Sequence, residues 1–132
     1  RDKQVEIEML TNGCVDFGTT LKYHMKRKKV TIDQLVERSY LSDTTIKKYR
    51  NGEVPEPPIE NVMAVCIGLN LKKEYSLRLL KMASITLEKS KPRDSAYLFC
   101  LDNSDGTIEQ WNMILDAFGQ PHIPNQKNQK TT

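Results

Sequence analysis

The segment from Thr31 to Gly52 constrains this chain more than any other, because it punctuates itself at both ends and in the middle. Thr31 is a natural helix N-cap, and Gln34, three residues on, completes a capping box. The helix that follows runs from Ile32 to Arg38, with Leu35 and Val36 inside, and Ser39-Tyr40-Leu41 breaks it. Ser42 caps again, Asp43 to Arg50 forms the next helix with Ile46 and Tyr49 inward, and Asn51-Gly52 ends it. Helices this short are not stable alone, so the rest of the chain must supply the surface that holds them.

The flanking sequence reads as more helices. Phe17, Leu21 and Met25 recur at i, i+4, i+8 from Asp16 onward, with Lys22, Lys26, Arg27, Lys28 and Lys29 on the far side and at the C-terminal end. Tyr23 and His24 are expected at the surface or boundary. The stretch "EVPEPP" (Glu53 to Pro58) cannot be helix interior and hands the chain to a helix with Ile59, Val62, Met63, Cys66 and Leu69 on one face, ended by Gly68-Leu69-Asn70. Further helices are expected from Lys72 to Ala83, from Arg93 to Leu101, and after Thr107 with the apolar set Ile108, Trp111, Ile114, Leu115 and Phe118. Before Cys14 a strand, an arm and the end of an upstream helix all remain open. The class is all-α. The expected divisions are an N-terminal arm or end of an upstream segment at 1–15, a helical unit at 16–71, a helical extension at 72–124 and a disordered tail at 125–132.

A chain of 132 residues makes one domain, or one domain with an extension, and can bury a core without metal or disulfides. Its three cysteines are isolated, which argues against a zinc site and against a disulfide framework, and a cytoplasmic location is expected. No apolar run approaches the ~18 residues of a membrane span, so no membrane partner is expected. There is no nucleophile–base pair, phosphate loop or metal set, so neither an enzyme nor a cofactor is expected. The chain opens on Arg rather than Met, so an upstream domain is expected as one alternative.

The spacing "LVERSYLSDTTIKKYRNGE" resembles the Cro and phage-repressor type of helix-turn-helix, the XRE family with the lambda-repressor-like fold, at Leu35, Leu41, Ser42, Ile46, Asn51 and Gly52. "PPIENVMAVCIGLNL" is similar to that family's following helix, and the resemblance covers about residues 17–70. It implies a five-helix DNA-binding domain whose second motif helix enters a major groove. By position it implies base readers at Asp43, Thr44 and Lys48, with Thr45 and Lys47 close by. It implies phosphate contacts at Thr31 and Ile32 before the pair and at Asn51 and Gly52 after it, with Arg50 added. The chemistry is consistent: Asp accepts from cytosine N4, Lys donates to guanine O6/N7 and Thr meets a thymine methyl. "IEQWNMILDAFGQPHIP" is similar to the closing helix of an extension found beside this motif in Gram-positive bacterial proteins.

Several positions depart from the family pattern. Tyr40 replaces the usual turn glycine, Ile32 the usual glutamine, and Glu53 a basic residue. Met25 and Arg50 stand where many members pair an Arg with a Glu. Changing both together avoids an unpaired buried charge, which would cost about 3–5 kcal/mol.

Charge agrees with the resemblance. Leu21 to Arg50 holds nine Lys/Arg and three Asp/Glu, whereas the whole chain is only +3. The expectation is a bacterial transcriptional regulator, or the DNA-binding part of a larger one, that binds double-stranded DNA as a homodimer. The alternative is a protein-interaction module that positions or regulates a partner protein.

Overall fold

The computed structural model describes residues 2–103 and 105–126, and those residues form α1 (Asp2–Thr11), α2 (Phe17–Lys28), α3 (Ile32–Ser39), α4 (Asp43–Arg50), α5 (Ile59–Gly68), α6 (Lys73–Met82), α7 (Pro92–Leu101) and α8 (Ile108–Ala117), with no strand among them. The expected unit at 16–71 spans α2 to α5, and α6 to α8 lie in the expected extension at 72–124. The polar tail expected from Asn125 lies, from residue 127 onward, outside the described residues. Among the described residues no helix is long and apolar enough to cross a membrane.

The capping chemistry operates as the sequence predicts. Thr31 Oγ1 accepts from Gln34 N at 3.1 Å while Thr31 N donates to Gln34 Oε1 at 3.0 Å. Asp16 caps α2 in the same reciprocal way with Thr19, and Thr107 caps α8 with Gln110. Each box engages N–H groups that the first helical turn leaves without a partner.

The centre of the fold is α5. Its expected apolar face understates it: from Asn61 to Gly68 every residue is buried, which makes α5 the helix that its neighbours wrap. Gly68 is more than an end signal. A Cβ there would lie 2.7 Å from Leu35 Cδ1 and 3.1 Å from Ser39 Cβ, so its missing side chain lets α3 approach α5. The core runs on without a break from Phe17 to Trp111 and Ile123, so α7 and α8 share it with the helix-turn-helix unit. Cys14, Cys66 and Cys100 are buried, and burial pushes the Cys66 and Cys100 thiols up to about 12.

Before Cys14, Asp2–Thr11 form a helix. Glu8 of α1 accepts 2.7 Å hydrogen bonds from the hydroxyls of Tyr23 on α2 and Tyr75 on α6, joining three helices through one carboxylate. The Tyr23 bond first, then Tyr75 and the Arg27 charge, hold the Glu8 carboxyl below its usual range. His24, expected at the surface or boundary, is fully buried, packed edge-on against Tyr75 with ring centroids 5.3 Å apart. Its place follows from helical spacing, since it lies three residues after Leu21 and seven after Phe17. Phe118 departs in the other direction. It is 40% exposed and its ring meets that of Phe99 at a 50° tilt rather than entering the core.

Candidate nucleic-acid interface

The turn between α3 and α4 is Tyr40-Leu41-Ser42. Tyr40 adopts the left-handed conformation at φ 64°, the geometry that glycine supplies without strain. A non-glycine residue there costs about 1–2 kcal/mol. The turn survives because Leu41 is buried and its N–H donates to Ser39 Oγ at 3.1 Å. The chain also returns to this turn at its far end, where the Gln126 N–H donates to the Tyr40 carbonyl.

Two residues seat α4. Ile46 is fully buried, and Tyr49 packs edge-on against Phe17 at 5.6 Å while its hydroxyl accepts from Asn61 Nδ2 at 2.7 Å. With Ile46 and Tyr49 inward, the helical repeat turns Thr44, Lys47 and Lys48 outward. Lys47 and Lys48 are exposed and Thr44 is half-buried. Asp43 is exposed at the start of the helix, with Oδ2 3.5 Å from Lys47 Nζ across one turn. Asp43, Thr44, Lys47 and Lys48 thus form one outward group of an acid, a hydroxyl and two amines.

Thr45 does not join them. Its Oγ1 accepts from Ser42 Oγ at 2.9 Å and its N–H donates to the same hydroxyl, so it belongs to the cap. The cause is register, since the N3 position of a capped helix faces back toward the cap.

The flanks divide similarly. Thr31 is exposed at the start of α3, and Ile32 is half-buried against the core and offers only its backbone. After α4, the N–H groups of Asn51, Gly52 and Glu53 donate to Lys47 O, Tyr49 O and Lys48 O at 3.0, 3.2 and 3.0 Å. The Gly52 N–H is therefore engaged within the chain. What Gly52 contributes is backbone at φ 77° with open space at its missing Cβ. The Asn51 side chain is exposed. Met25 is buried, and Arg50 is half-buried with no carboxylate partner among the described residues. Glu53 is exposed at the end of this flank.

The basic run at the end of α2 separates into two roles. The Arg27 guanidinium sits 4.5 Å from the Tyr75 ring centroid, with Nε 3.2 Å from His24 Nδ1. Lys28 Nζ donates to the Asn70 carbonyl at 2.7 Å, where α5 ends. Both tie α2 to the α5–α6 corner. Lys22, Lys26 and Lys29 stay exposed. Sequence reading did not separate the two sets, because all five look alike until α6 is in place.

Residues 20–73 match the family model of the Cro/C1-type HTH DNA-binding domain. The match runs from within α2 to the first residue of α6 and contains every outward residue of α4. No curated protein and no solved structure matches the chain.

Proposed function

We propose that residues 20–73, a Cro/C1-type helix-turn-helix DNA-binding domain, read double-stranded DNA by inserting α4 into the major groove. The chain then acts as a sequence-specific regulator of transcription, in the cytoplasm of a bacterium, alone or as the DNA-binding part of a larger protein. The observation that carries this reading is the seating of α4. Ile46 and Tyr49 anchor it while Thr44, Lys47 and Lys48 face solvent inside the matched segment.

The mechanism follows from the groove chemistry. Lys48 donates to guanine O6/N7, Thr44 meets a thymine methyl, and Asp43 accepts from cytosine N4 when Lys47 turns aside to a phosphate. Around them, the backbone N–H groups in the first turn of α3, beside Thr31 and Ile32, favour a phosphate, and the Arg50 and Asn51 side chains contact a second one on the other flank. Glu53 opposes the second phosphate, so affinity rests on few contacts. A homodimer on two half-sites about 34 Å apart compensates by joining two reading helices.

Selection of bound duplexes from a random pool, repeated with Lys48→Ala, tests this. A consensus that loses its preference at one base pair in the variant supports the reading. Unchanged binding of every duplex by both Lys48→Ala and Thr44→Ala would contradict it.

A further inference from the structure

The α7–α8 hairpin presents apolar residues on two sides. Tyr97, Cys100 and Leu101 of α7 and Ile108, Trp111 and Leu115 of α8 enter the core. On the outer side Phe99 is 50%, Met113 71% and Phe118 40% exposed. They lie along the outer side of the seam between the two helices. The Phe99 and Phe118 rings meet at a tilt with centroids 5.7 Å apart, and one turn along, Asn103 shares a depression with Gln110, Met113 and Ile114. Nothing among this chain's described residues covers these apolar side chains, which stand beside the exposed Glu109, Gln110 and Asp116 of α8.

Its charge is one-sided. From Asp102 to Gln126 the sequence has four Asp/Glu and no Lys or Arg. Glu109 and Asp116 lie one turn to either side of Met113, and Asp102 lies one turn beyond Phe99. Asp102 meets Lys73 at 2.7 Å and Asp116 meets His122 at 2.6 Å, both at exposed positions, whereas Glu109 has no ion-pair partner among the described residues. This rim repels DNA and anionic lipid. A second copy placed symmetrically would set like charges against each other.

We propose that this face, centred on Phe99, Met113 and Phe118, docks a basic amphipathic segment of another protein. The segment's apolar side covers the two phenylalanines and the methionine, and its Lys or Arg side chains meet Glu109 and Asp116, as a helix laid on a groove would. The proposal does not depend on α4 entering a groove, since its surface lies outside residues 20–73.

The test is a nuclear magnetic resonance titration of the whole chain with a synthetic amphipathic Leu/Lys helix and with its Leu/Glu counterpart. The Leu/Lys helix is expected to shift the Met113 methyl and the Phe99 and Phe118 rings, with binding weakened by added salt. Met113→Ser with Phe118→Ser should weaken it at least tenfold, and Glu109→Lys should weaken it while leaving the fold intact, because all three residues are exposed. Equal binding of the Leu/Glu helix, shifts confined to other surfaces, or no binding overturns the proposal. Self-association through Met113, seen by sedimentation and abolished by Met113→Ser, also overturns it and makes a second copy the occupant.

Discussion

Lys47 Nζ lies 3.5 Å from Asp43 Oδ2 across the first turn of α4, at side chains 56% and 57% exposed. The pair is weak, of order 0.3–0.5 kcal/mol for such a spacing, so a DNA backbone can displace it. It links an acid suited to cytosine with an amine suited to phosphate. Asp43→Asn removes the link and a negative charge together. The expected outcome is tighter binding to scrambled duplex and a loss of about 1–3 kcal/mol in discrimination at one cytosine. Parallel titrations of the selected site and a scrambled duplex measure both. Equal changes on the two would show that Asp43 reads no base.

Gly18 holds α2 against the end of α4. A Cβ there would stand 3.0 Å from the Tyr49 carbonyl oxygen and 3.2 Å from Gly52 N, both backbone atoms that cannot swing aside. Alanine inside a helix usually gains up to about 1 kcal/mol over glycine. Here overpacking, typically about 1–3 kcal/mol, outweighs that gain. Gly18→Ala is expected to lower stability in urea unfolding and to weaken DNA binding, because the end of α4 must shift. A stabilised variant would mean that α2 and α4 can separate freely.

Lys29 closes α2 at φ 54° and is exposed. Lys29→Gly removes the left-handed strain without removing a buried contact, and about 1 kcal/mol of added stability is expected. Thermal unfolding measures it. An unchanged or lower midpoint would place the favourable energy of that turn in the lysine side chain.

Burial first, and then the Arg27 charge, lower the His24 pKa to about 4. The unfolded chain has an ordinary imidazole near 6.5. Between these values the unfolded state binds a proton that the folded state refuses, so stability falls as pH drops from about 6.5 toward 4, by of order 3 kcal/mol in all. The Glu8 pKa is lowered as well, from 4.5 and first by the Tyr23 hydrogen bond, so its contribution is also lost on acidification, but at lower pH. Urea unfolding at pH 7, 6, 5 and 4, with His24→Gln as the comparison, reads this directly. The slope is expected to flatten in the variant, and an identical slope would assign it to other groups.

The sequence exposed what capping and spacing decide. Thr31 with Gln34, Ser42 and Gly52 fix the limits of α3 and α4, and Ile46 and Tyr49 follow from the helical repeat. It hid what depends on a neighbouring element. His24 lies on the buried stripe of α2, but its residue type points outward until Tyr75 and Glu8 are seen to surround it. Arg27 and Lys28 look like surface charge until α6 and the Asn70 carbonyl stand beside them. Thr45 and Gly52 were singled out for DNA by position alone. Which hydrogen bonds already engage them is decided at the helix ends, where hydroxyl and N–H groups have local partners within reach.

The central claim is that α4 meets DNA through its outward lysines. The most direct measurement is the affinity of the whole chain for its selected duplex across ~50–200 mM salt, for the natural sequence and for Lys48→Ala. The account predicts a steep fall in affinity with salt and a weaker selected site in the variant by about 1–3 kcal/mol, while affinity for scrambled duplex changes far less. Absence of binding at the lowest salt, or the same loss on selected and scrambled duplex, would contradict it.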